Sequence, residues 1–61
     1  MVEVGTDSRG NRLYMEETGQ GRCYWSDEIG GGVRVWHTAL VSAEMMRLAL
    51  DAEEKAGKID R

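Results

Sequence analysis

Apolar and polar residues follow a spacing of two in the first part of the chain and a spacing of three and four in the last part. Residues 12–17 (RLYMEE), 22–26 (RCYWS) and 33–37 (VRVWH) alternate in character and are rich in aromatic and β-branched side chains, which predicts three strands. Residues 1–4 offer a further short edge strand. The chain has no proline, so its eight glycines supply the turns. Residues 5–11 (GTDSRGN) read as a turn, residues 18–21 (TGQG) as a tight hairpin, and Gly30, Gly31 and Gly32 as a looser loop. Short connections favour sequential antiparallel pairing.

The spacing changes at Ser42, whose hydroxyl can cap a helix start. A helix is expected over about 42–56: residues 43–56 are strong helix formers, Glu44 falls in the first turn where the helix dipole favours an acid, and Gly57 reads as the stop. Met45, Leu48, Ala49, Ala52 and Ala56 share one stripe, opposite Glu44, Arg47, Asp51, Glu54 and Lys55. Met46 and Leu50 flank the stripe, where they either cover the end of the sheet or form a seam to a second copy or a partner. The expected fold is α+β: a three-stranded antiparallel β-meander packed against one C-terminal α-helix, as a single domain over residues 1–61.

Strand alternation assigns two faces. Leu13, Met15, Cys23, Trp25, Val33 and Val35 form the apolar set and are expected beneath the helix. Arg12, Tyr14, Arg22, Tyr24, Arg34 and Trp36 form the other set, which no remaining element covers. Arginine offers forked hydrogen bonds to phosphate or to guanine edges, and aromatic rings stack on bases, so this set is a candidate nucleic-acid surface. The same residue types are the common anchors of protein interfaces, and cross-strand arginine–aromatic pairs also stabilise an exposed sheet without any ligand. A slip of one residue would exchange the two faces.

Composition bounds these readings. A chain of 61 residues buries only about 60% of its unfolded surface, so a dimer or bound partner would add stability. A single cysteine and a single histidine exclude an internal disulfide and give no zinc-ligand spacing; no metal or cofactor is expected. No apolar run approaches a membrane span and no leader pattern opens the chain, so a cytoplasmic location without membrane contact is the expectation. The net charge of -3 is unlike that of general nucleic-acid binders, although all four cations of residues 1–37 (Arg9, Arg12, Arg22, Arg34) are arginine. Met1 reads as a natural start and residues 58–61 as a frayed tail.

The stretch GVRVWHTALVSAEMMRLALDAE, residues 32–53, resembles the third strand and helix of the plant ethylene-response-factor DNA-binding domain. Arg34, Val35 and Trp36, followed by Ser42, Ala43 and Glu44, match its layout, which implies DNA contact by Arg34 and Trp36 from the sheet. The arm-binding domains of tyrosine recombinases share that fold. The chain departs from the pattern at His37, Thr38, Ala39 and Leu40, and in having Arg12 alone among the family's first-strand cations.

Catalysis is not expected. So short a chain offers little concavity, Cys23 is assigned to the core, His37 stands alone, and the triple glycine lacks the lysine and strand–helix context of a phosphate loop. Two functions remain. One is DNA binding through Arg12, Tyr14, Arg22, Tyr24, Arg34 and Trp36, as in an accessory or excision factor of a mobile element. The other is a protein-interaction module, such as a small phage-type inhibitor or regulatory subunit, with Met46 and Leu50 as a possible homodimer or partner seam. Acidic mimicry of nucleic acid ranks lower, because arginines interrupt the carboxylates.

Overall fold

The computed structural model describes residues 1–59, with side chains through Gly57. Its elements are β1 (Val2–Thr6), β2 (Arg12–Thr18), β3 (Gly21–Ser26), β4 (Val33–Arg34), a 3-10 turn (Val35–His37) and α1 (Ala43–Ile59). The four strands form one antiparallel meander in the order β1-β2-β3-β4. The expected three strands therefore become four, because residues 2–6 pair with β2, all but Val4 having a partner in its register. No described helix is long and apolar enough to cross a membrane.

The β2–β3 hairpin sets the frame. Thr18 pairs with Gly21 across a two-residue loop, and the Thr18 hydroxyl donates to the Gly21 carbonyl at 2.9 Å while accepting the Gln20 N–H at 3.1 Å. This loop places odd-numbered residues of β2 opposite even-numbered residues of β3: Leu13 with Ser26, Met15 with Tyr24, Glu17 with Arg22. Residues directly opposite share a face. Tyr24 therefore joins Leu13 under the helix, and Cys23 and Trp25 turn to the other side. The assignment of Cys23 and Trp25 to the core is corrected by this register.

Leu13, Tyr24, Val35, Met45 and Ala49 are the buried core, with Met15, Val41, Met46, Leu48 and Ala52 packed around it. The helical stripe supplies Met45, Ala49, Leu48 and Ala52 as its spacing predicts. β1 carries an irregularity between Glu3 and Gly5, so that Val4 and Gly5 both turn toward the helix side: Val4 lies beside Met15 and Leu48, and a Cβ on Gly5 would stand 3.9 Å from Leu48.

The last strand is shorter than its alternation suggests. Only Val33 and Arg34 pair with β3. The Gly32 N–H donates to the Ile29 carbonyl at 3.0 Å, closing a turn with Gly31 at its third position and φ 93°. After Arg34 the backbone tightens into the 3-10 turn, which drops Val35 into the core. Alternation therefore ceases before Trp36.

Carboxylates knit one end of the sheet. Asp7 accepts the backbone N–H groups of Arg9 (3.0 Å) and Asn11 (2.8 Å), with further bonds from both side chains. Burial pushes its pKa up, but these donors outweigh burial and hold it below the ordinary value. Glu28 accepts from Arg9 at 3.0 Å and from the Ser42 N–H at 3.0 Å. Ser42 in turn caps α1, its hydroxyl accepting the Met45 N–H at 3.2 Å, as the sequence predicts. In a usual capping box an acid three residues on holds the cap N–H; here Glu28 takes that place from the β3–β4 connection. Glu44 bonds the Ser8 N–H and hydroxyl, both at 2.8 Å. α1 passes through Gly57, which keeps a negative φ, and continues to Ile59, so the expected stop at Gly57 is corrected. Of the residues read as a frayed tail, Asp60 and Arg61 lie outside the described residues.

Candidate binding face

Pairing across the sheet aligns Glu3, Tyr14, Trp25 and Arg34, one residue from each strand, in a row on the face away from α1. The row runs from an acid through two aromatics to an arginine. Thr6 and Arg12 lie to one side of it, Glu16 and Cys23 to the other.

Each arginine of this face is held by an aromatic ring and a second group. The Arg12 guanidinium carbon sits 5.8 Å from the Tyr14 ring centroid, and its Nε donates to Asp27 at 3.2 Å. That hydrogen bond is the main reason the Arg12 pKa is raised further. The Arg34 guanidinium carbon is 5.8 Å from the Trp25 ring centroid, and its Nη2 donates to the Cys23 sulfur at 3.0 Å. Thr6 donates to Glu3 at 3.2 Å. The Trp25 indole N–H is buried and has no hydrogen-bond partner among the described residues. An unmade bond of this kind costs about 1–3 kcal/mol. The charges interleave: Arg12 and Arg34 stand among Glu3, Glu16 and Asp27.

Of the six residues read as one open surface, Arg12, Tyr14 and Arg34 lie on this face. Arg22 and Tyr24 do not. The Arg22 Nε and Nη2 donate to the two Glu53 oxygens at 2.8 and 2.7 Å, and the Tyr24 hydroxyl donates to the same carboxylate at 2.8 Å. Tyr24 is only 2% exposed. The triad binds α1 to β3. Arg22 first and Tyr24 second pull the Glu53 pKa down to about 2. Burial first and Glu53 second push the Tyr24 phenol up to about 12. Trp36 sits in the 3-10 turn, 40% exposed, with its ring centroid 4.9 Å from that of Tyr24. It does not share the face of Arg34. Met46 packs on the core, while Leu50 is 56% exposed.

Glu16 stands where alternation sets it, on the side of Arg12 and Tyr14, and Glu3 joins the face through β1; the members that alternation misplaced are Trp25 and Cys23, both half-buried. The signal that finds them is the hairpin: a two-residue loop between 18 and 21 fixes which β3 residues accompany Tyr14. Comparison of the chain with protein-family models, with curated proteins and with solved structures found no match.

Proposed function

We propose that this chain is a small non-enzymatic binding module that engages a protein partner through the sheet face bearing Arg12, Tyr14, Trp25 and Arg34. The observation that supports this reading is the mixed-charge aromatic row Glu3–Tyr14–Trp25–Arg34 on a face no described element covers. Tryptophan, tyrosine and arginine are the side chains that most often dominate protein interfaces. Glu3, Glu16 and Asp27 among them repel a phosphate backbone, whereas a protein can answer both signs. The fitting partner presents an apolar side chain to Tyr14 and Trp25 and a carboxylate to Arg34.

DNA binding is the second reading. It is favoured by the stacking of each arginine on its own aromatic ring, a pairing that suits contact with both phosphate and base. It now rests on Arg12, Tyr14, Trp25 and Arg34, with Arg22 and Tyr24 engaged by Glu53.

The test is a pair of binding measurements on the wild type and the Trp25→Ala/Arg34→Ala double variant. The protein reading expects a partner enriched from cells to reconstitute with the purified wild type, to tolerate moderate salt, and to be lost in the double variant. Saturable tryptophan quenching by mixed duplex DNA that weakens steeply with salt and is lost in the same variant overturns it in favour of nucleic acid. Loss of neither interaction in the double variant removes the face from both readings.

A further inference from the structure

α1 carries two stripes, and the sheet takes up only one of them. Met45, Leu48, Ala49 and Ala52 belong to the core side. Ala43, Met46, Leu50, Glu53 and Gly57 follow one another at spacings of three and four, which gathers them on a second stripe, roughly a third of a turn away. That spacing is the one by which two helices pack along each other. The stripe runs for about 21 Å. Its apolar members are open: Leu50 is 56% exposed, and Met46 is only partly covered by the core. Trp36 widens it. The 3-10 turn packs against α1, the Trp36 ring stands beside that of Tyr24, and the Tyr24 hydroxyl reaches Glu53. The exposed part of the indole therefore borders the same flank.

The polar members of the stripe do not oppose burial. Glu53 is already paired with Arg22 and Tyr24, so it brings no unpaired charge into a seam. Ala43 and Gly57 stand at the two ends, and their small size lets a neighbouring backbone come close. Arg47 and Glu54 line the outer border, both exposed and opposite in sign. Arg47 lies three residues before Leu50 and Glu54 four after it. Arg47 has no ion pair among the described residues.

We infer that a second copy of this chain covers the stripe, its α1 packed antiparallel across a two-fold axis near Leu50. The charge pattern selects both the occupant and the register. A two-fold at this point sets Arg47 of each copy opposite Glu54 of the other, twice. Moving the axis toward Met46 brings the two Arg47 side chains together, and moving it toward Glu53 does the same to the two Glu54 side chains; either costs like-charge repulsion. In the favoured register the two Leu50 side chains meet at the centre, Met46 lies against the stem of Glu53, and Ala43 faces Gly57. The contact leaves the sheet face of Tyr14 and Trp25 free, so it is independent of the function proposed above.

The experiment is sedimentation equilibrium of the full chain up to millimolar concentration. The variants are Arg47→Glu, Glu54→Arg, the Arg47→Glu/Glu54→Arg double variant, Leu50→Lys, and Asp51→Lys on the opposite flank of α1. The expected results are a wild-type dimer and an about tenfold weaker dimer in each single reversal at 47 or 54, since the two-fold turns two exposed attractions into two repulsions. The double variant is expected to recover the wild-type constant, Leu50→Lys to be monomeric and Asp51→Lys to dimerise as the wild type does, with circular dichroism showing that every variant is folded. A monomeric wild type at the highest concentration overturns the proposal. So does a dimer that Leu50→Lys leaves intact, a double variant no tighter than the singles, or an Asp51→Lys dimer as weak as theirs.

Discussion

Replacing Glu53 by glutamine keeps the shape of the side chain and removes its charge. The wild-type carboxylate accepts three hydrogen bonds of 2.7 to 2.8 Å, two from Arg22 and one from Tyr24. Bonds to charged groups are worth about 1.5–3 kcal/mol each and neutral ones about 0.5–1.5. The glutamine oxygen can retain one acceptor role, but its amide faces a guanidinium that donates only. The side chain of Glu53 is 38% exposed, so solvent screens much of the difference and the net loss is about 1 kcal/mol. For a domain of this size that lowers Tm by about 4–8 °C. The pH dependence identifies the cause. Glu53 has a folded pKa of about 2 against an ordinary 4.5, so its contribution is complete above the ordinary value and fades as pH falls toward 2. Thermal melts of wild type and E53Q from pH 7 to pH 2 should therefore converge across that window. Equal Tm values at pH 7, or a gap that persists unchanged at pH 2, would refute the assignment of Glu53 as the clasp between α1 and β3.

Tyr24 reports the same clasp from the alkaline side. Its phenol is favoured neutral when folded, so its contribution is full below the ordinary pKa of 10 and is lost as pH rises through about 12. Absorbance titration should show a late phenolate signal that is absent in Tyr24→Phe. Leu13→Ala empties the fully buried centre of the sheet and should cost about 2–5 kcal/mol, a large share of the stability of so small a domain. Urea unfolding at neutral pH measures this, and a loss below about 1 kcal/mol would contradict the core assignment. Ser42→Ala removes the cap of α1 and should cost about 1 kcal/mol by the same assay, with Ser42→Asp largely restoring it.

Much of this fold is written in local patterns, and the failures are specific. The α1 stripe and the Ser42 cap are read correctly because helix spacing and capping depend on neighbouring residues alone. The face of β3 is misread because cysteine and tryptophan look more apolar than arginine and tyrosine, while the hairpin loop dictates the opposite parity. Tyr24 is tolerable in the core because its hydroxyl reaches Glu53, a partner 29 residues away. The strand at residues 33–37 is cut short at Arg34 because Val35 reaches the core through a 3-10 turn, which alternation does not anticipate. β1 gains length because its extra residue at Val4 hides the alternation of the strand. Half of the candidate face, Arg12, Tyr14 and Arg34, survives because the parity of β2 and β4 is read correctly.

The meander has a consequence for the order in which the molecule assembles. Each strand pairs with its neighbour in sequence, and the β2–β3 loop spans two residues. The bonds that lay α1 on the sheet join residues 36 and 31 apart, Ser8 to Glu44 and Arg22 to Glu53. Closing short loops costs less chain entropy than closing long ones. The hairpin is thus the inexpensive nucleus and helix docking the late, costly step. Changes in the Thr18–Gly21 turn should slow folding, while E53Q should chiefly hasten unfolding, and the two limbs of a chevron plot separate these effects. The ion pair that fastens the helix then acts as a brake on opening, and the sheet is the scaffold already present when that brake is set.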